Sequence, residues 1–191
     1  MRLPLIPPGQ LSAEQRPLFD DMSAGIEKGF RGFATTREDG ALMGPWNPWL
    51  HEPRIGDAIW ALTKALSAES TLPEPCRQIA ILVTGAHFHA GYEIYAHVAV
   101  AQKDGLSDAA IATIVAGQRP AELKPDEAVA YDVAAALVSG GVLPALNYRL
   151  ATAAFGAHGT AELIYLVGLY CMVSTTLNGF DVPVPELPDE G

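Results

Sequence analysis

Glu93 and His97 stand four residues apart in the run Arg77-Gln-Ile-Ala-Ile-Leu-Val-Thr-Gly-Ala-His-Phe-His-Ala-Gly-Tyr-Glu-Ile-Tyr-Ala-His97, which threads three histidines and one carboxylate through apolar sequence. At helical pitch that spacing stacks an acid and an imidazole one turn apart on a single face. His89 lies one turn earlier and either extends the stripe or caps the helix junction at Ala90-Gly91. Leu82, Val83, Val98, Ala99 and Val100 flank the pair, so its proton affinities are set in a low-dielectric environment.

The same stripe, His89-x3-Glu93-x3-His97, offers three groups of metal-ligand type. Nitrogens at i and i+8 are about 12 Å apart along a helix axis, too far to share one ion, so no metal is expected. Cys76 and Cys171 form no CxxC and read as buried thiols, neither a disulfide nor a zinc cluster. A second group of candidates is the stretch Gly44-Pro-Trp-Asn-Pro-Trp-Leu-His51. Trp46, Asn47, Trp49 and His51 on this Gly/Pro scaffold read as a pocket wall or lid, or as a plug on a helical core.

The elements that position these groups are helices. Ser12 with Glu14 and Gln15 starts the first, which carries Leu11, Leu18, Phe19, Met22 and Ile26 on one face and ends near Gly29. Residues 31–53 read as a long structured loop, because their prolines and glycines oppose a regular helix or central strand. Helices then follow over about 54–68, 73–88, 90–104, 107–116, 125–139, 144–155 and 159–178, with caps at Ser107-Asp108 and Pro125-Asp126-Glu127. The expected architecture is all-α, one domain over 1–191. It has an N-terminal helix and aromatic loop (11–53), a motif region (54–116) and a second helical half (125–180). An offset of 71 residues relates Pro73 to Pro144 and Gly85-Ala-His87 to Gly156-Ala-His158, as an internal duplication would. The acidic, Pro-rich tail from Asp181 is expected to lie extended on the surface or on a neighbouring subunit.

Composition narrows the partners. A formal charge of −10 with only twelve Lys and Arg in 191 residues opposes nucleic acid and anionic membranes, which demand a basic patch. The amino-terminal Met-Arg-Leu-Pro-Leu-Ile-Pro-Pro is no secretory signal, and no unbroken apolar run reaches the roughly 20 residues of a membrane span, so a cytoplasmic protein is expected.

The run from Arg77 to Leu106, with Arg-x-x-Ala-Ile-Leu, Tyr-Glu-x-x-x-His and Ala-x-x-x-Gly-Leu-Ser, resembles the carboxymuconolactone decarboxylase and alkylhydroperoxidase D superfamily. Gly44-Pro-x-Asn-x-x-Leu-His51 and Leu177-Asn-x-Phe-Asp-Val-Pro183 are similar to a long-chain branch of it, so the likeness covers most of residues 40–185. The resemblance implies an all-helical fold assembled into trimers or hexamers, with the site near subunit contacts.

Peroxide-reducing members carry Glu-x11-Cys-x2-Cys-x3-His. Laid over His97, that pattern meets Gln78, Ala90, Glu93 and His97, so both redox sulfurs are missing and the upstream acid is an amide. An antioxidant peroxidase is therefore the disfavoured alternative, and a non-catalytic helical oligomer is a third. The decarboxylase branch is matched by Glu93-x-x-x-His97. What it implies is cofactor-free acid/base decarboxylation, or proton transfer, on a small carboxylated lactone or enol acid. In that reading His97 donates the proton, and Glu93 raises its pKa and fixes its ring. His89 or Arg77 holds the substrate anion, unless Arg77 only pairs with a neighbouring acid. Trp46, Asn47 and His51 line the pocket, and Asn178 either touches substrate or caps the last helix.

Overall fold

The computed structural model describes residues 1–30 and 32–185. Eight α-helices form its described part: α1 (Arg16–Gly29), α2 (Trp46–His51), α3 (Pro53–Ala68), α4 (Glu74–Phe88), α5 (Gly91–Lys103), α6 (Asp108–Val115), α7 (Pro125–Val138) and α8 (Ala145–Gly179). Between Thr36 and Leu42 lies an isolated antiparallel bridge, with no strand among the described residues. The all-α expectation holds.

α4 is the axis. Its residues Cys76–Ala86 are all buried, which suits a helix apolar around most of its circumference. α6, α7 and α8 pack on it to make one core, built on Ile79, Leu82, Ile114, Val133 and Leu163. A second core joins α1, α2, α3, α5 and the end of α8 through Met22, Leu42, Trp46, Leu50, Trp60 and Leu177. Tyr170 packs against both.

The expected caps form. Ser12 N–H donates to Gln15 Oε1 and Gln15 N–H to Ser12 Oγ, a reciprocal pair just ahead of α1. Ser107 Oγ accepts from Ala110 N–H at the start of α6, and Glu127 reaches back to Lys124 N–H at the start of α7.

One expectation fails in the aromatic stretch: residues 46–51 are helical, not loop. Pro45 is the N-cap and Pro48 sits in the first turn, where no backbone N–H is needed, so both prolines fit a helix this short. Gly44 enters it at φ 62°, and a Cβ there would lie 2.4 Å from the Tyr92 ring.

Pro73 and Pro144 cap α4 and α8 with matching dihedrals, φ −55°, ψ 137° and φ −55°, ψ 138°. The expected break at Gly156 is present: the residue takes the non-helical φ 68°, ψ −178°, and α8 is two helices joined across a kink there. By length and composition alone α8 would be long and apolar enough to cross a bilayer, although the Gly156 kink interrupts it. Half of its apolar window is buried here, as in a core helix. Of the tail, residues 182–185 follow α8 as coil, and 186–191 lie outside the described residues.

Candidate active site

α4 and α5 form an antiparallel hairpin turned at His89-Ala90, and this brings Gln78, Glu93 and His97 together across 19 residues of sequence. Gly85 on α4 makes the approach close: a Cβ there would sit 3.2 Å from Glu93 Cγ. His97 Nε2 lies 3.3 Å from Glu93 Oε1, with both side chains buried. On the other edge of the ring, Nδ1–H donates to Gln78 Oε1 at 2.8 Å, which leaves the lone pair of the neutral imidazole on Nε2. The Tyr170 ring stands edge-on to the imidazole at 5.2 Å and 90°.

Burial sets the proton affinities. It raises Glu93 from 4.5 to about 8. Glu93 is in the first turn of α5, where the helix dipole favours a carboxylate, but that contribution is small beside desolvation. Burial, followed by the positive charge of Arg77, lowers His97 from 6.5 to about 3. This corrects the expectation that Glu93 raises the imidazole: without solvent the pair is neutral, and its proton rests on the carboxyl. Beyond its 3.3 Å approach to His97 Nε2, Oε1 of Glu93 has no hydrogen-bond partner in the protein.

The pair stands between two cavities that share Phe30, His97 and Tyr170 as walls. The inner one is an aromatic chamber of about 30 Å³, walled by Phe33, Pro45, Trp46, Trp49, Tyr92, Glu93 and Val173 among others. Ala34 fixes its cover: its carbonyl accepts from Tyr92 O–H at 2.8 Å, and its N–H donates to Tyr95 Oη at 3.0 Å. The outer one is a basin of about 530 Å³, of the size of a small-molecule pocket. Lys28, Arg77 and Lys103 line it together with Glu74 and Asp104, and Arg77 Nε lies 3.6 Å from Glu74, so cations and acids share its walls.

The other candidates divide. Trp46 is a chamber wall. Arg77 lines the basin, but its Nη1 is committed to Glu162 Oε1 at 2.7 Å, Ser70 Oγ at 2.8 Å and the Leu66 carbonyl at 3.1 Å. Glu162 is the neighbouring acid. Burial alone would raise its pKa, yet hydrogen bonds from Ser70 and Thr71 and the Arg77 charge hold it below the ordinary value.

His89 leaves the stripe: it ends α4 in the left-handed region at φ 51°, exposed, beside a different cavity lined by His87 and Tyr131. Asn47 is buried with its amide bonded to the Pro4 carbonyl and Ile6 N–H, and His51 Nε2 meets the same Pro4 carbonyl at 2.8 Å, so both tether the amino-terminal segment and neither walls the chamber or the basin. Asn178 donates to the Phe88 carbonyl at 2.6 Å and closes the end of α4. With His89 gone, no three His, Cys, Asp or Glu side chains converge among the described residues.

Sequence reading misses Tyr170 and Lys28, which reach the site from α8 and α1 and carry no local spacing signal, and Lys103, which closes α5 itself. Gln78 has such a signal, its offset of 19 residues from His97.

The fold is matched by a solved structure from Agrobacterium tumefaciens, a protein of unknown function described as a candidate antioxidant defence protein AhpD. The two align with a TM-score of 0.63 at 16% identity, over 74% of this chain and 97% of the other. This is the alkylhydroperoxidase D-like fold. No protein-family model matches the sequence, and no curated protein matches it significantly.

Proposed function

We propose that the protein is a carbon–carbon lyase of the carboxymuconolactone decarboxylase type, acting on a small carboxylated lactone or enol acid by acid/base chemistry that needs neither metal nor organic cofactor. The observation that carries this reading is the buried Glu93–His97 contact at the boundary of an apolar, aromatic-walled chamber and a basin lined by Lys28 and Lys103. The substrate body occupies the basin, with an anionic group near Lys28 and Lys103, neither of which has an ion-pair partner among the described residues. When the C–CO2 bond breaks, its electron pair passes into a conjugated carbonyl as a dienolate. The Glu93–His97 pair then delivers one proton to carbon, and solvent restores it. Gln78 holds His97 in the tautomer that can receive and return that proton through Nε2. A proton transfer without loss of carbon dioxide uses the same groups.

Self-association belongs to this reading. Ile55 and Leu62 of α3, and Leu146, Leu150 and Tyr165 of α8, are exposed apolar side chains of the kind subunit contacts cover.

The antioxidant alternative is disfavoured by the thiols themselves. Burial, reinforced by Asp126 and Glu127, pushes Cys76 up to about 12, and burial raises Cys171, so neither is a ready thiolate. The test is carbon dioxide release from a panel of carboxylated lactones and ring-cleavage acids. Turnover that survives Cys76→Ser with Cys171→Ser and falls at least about 100-fold in His97→Ala and in Glu93→Gln supports the reading. Peroxide reduction lost with the cysteines, or no turnover of any acid, overturns it.

A further inference from the structure

Two buried polar atoms of residues that wall the aromatic chamber make no hydrogen bond in the protein: Oε1 of Glu93, which lies 3.3 Å from His97 Nε2, and Nε1 of Trp49. Both residues wall the same cavity, while the other unpartnered buried atoms, the hydroxyls of Ser23 and Ser174, belong to residues that do not line it. An indole N–H can only donate, so whatever satisfies Trp49 must bring an acceptor. The surrounding walls are almost wholly carbon, several of them aromatic rings, which disfavours an ion there. A space of about 30 Å³ admits one water or one carbonyl-sized group and no ring.

We propose that the chamber is a subsite for a single uncharged carbonyl group, and that Trp49 is a substrate-binding residue whose indole N–H donates to that oxygen beside the Glu93 carboxyl. This rests on the decarboxylase reading and deepens it. The substrate class narrows to acids whose leaving carboxylate is conjugated to a neutral ketone or ester-type carbonyl. The ring stays in the basin, and its carbonyl reaches past His97 into the chamber. As carbon dioxide departs, the electron pair it leaves arrives on that oxygen, where two hydrogen-bond donors stabilise the developing charge more than they stabilise the ground state. The arrangement follows the logic of an oxyanion hole that uses a neutral carboxylic acid as donor.

Binding of a minimal probe tests this without turnover. In protein labelled with ¹⁵N at tryptophan, the three tryptophans give three indole signals, and Trp60, already bonded to Asp21 at 3.1 Å, is the internal reference. Acetone is the probe and acetate its charged isostere. The Trp49 signal is expected to move downfield and saturate with acetone, to ignore acetate at pH 7, and to leave Trp60 unmoved. In Trp49→Phe, acetone binding read by saturation transfer to its methyl protons is expected to weaken roughly tenfold. A Trp49 signal that stays still, responds equally to acetate, or shows contact to bound water alone overturns the proposal. The titration of the unmodified protein decides the matter if the variant does not fold. Acetone binding at Trp49 in a protein that turns over no acid would preserve the subsite and overturn the decarboxylase reading instead.

Discussion

His97 gives its Nδ1–H to the side-chain oxygen of Gln78, 2.8 Å away, and thereby keeps the Nε2 lone pair on the side of Glu93, 3.3 Å distant. A carboxylate at position 78 would hold the ring equally well but would also stabilise the imidazolium. The amide fixes the tautomer and adds no charge, so the neutral state imposed by burial survives.

Gln78→Glu is therefore expected to raise the His97 pKa from about 3 by more than one unit. Imidazole titration by NMR measures it. An unchanged titration would show that the 78–97 hydrogen bond does not govern the ring.

Stability should follow a pH profile with two limbs. His97 is lowered, so between about 3 and 6.5 the unfolded chain binds more protons, and stability is lost as pH falls. Glu93 is raised, so between 4.5 and about 8 the folded chain binds more protons, and stability is lost as pH rises. The two slopes cancel from 4.5 to 6.5, leaving a plateau there. From 6.5 to 8 the loss is at most about 2 kcal/mol. Urea denaturation across pH measures both limbs, and Glu93→Gln should abolish the alkaline one; an alkaline limb that persists in the variant would assign it to other groups.

Glu162→Gln leaves the buried Arg77 guanidinium with only the exposed Glu74 carboxylate, 3.6 Å from its Nε, and is expected to cost about 3 kcal/mol. Arg77→Met combined with Glu162→Leu should recover most of that loss, since it removes both charges. Urea midpoints compare the two, and a double variant no better than the single would mean that the Ser70 and Thr71 hydrogen bonds dominate.

Gly44→Ala combines a positive φ with a clash against Tyr92, and about 2 kcal/mol or more should be lost. Gly140→Ala has the same backbone problem with open space around it, so about 1 kcal/mol is expected there. The difference in thermal midpoints isolates the clash; equal losses would show that the ring moves aside.

Periodicity and caps made the helices legible, because α1, α3 and α7 bury one face each and Ser12, Ser107 and Glu127 bond to backbone as their spacing requires. The 93–97 contact was legible for the same reason, being one helical turn. Residue 89 was not: the hairpin needs a left-handed residue there, and tertiary closure overrode a continuous stripe. Direction of charge was not legible either, because whether a neighbouring acid raises an imidazole or burial depresses it depends on how much water the packing leaves. Asn47, His51 and Asn178 read as site residues because polar groups in apolar sequence look alike whether they meet ligand or backbone. Here each meets a carbonyl of a distant segment.

The kink at Gly156 divides α8 into arms of unequal lifetime. Before it, from 145 to 155, only Ala151 is buried; after it, Leu163, Leu166, Val173 and Leu177 anchor the arm in both cores. Amide deuteration should therefore sweep the first arm through local opening, while the second, which carries Tyr170, exchanges only when the whole molecule unfolds.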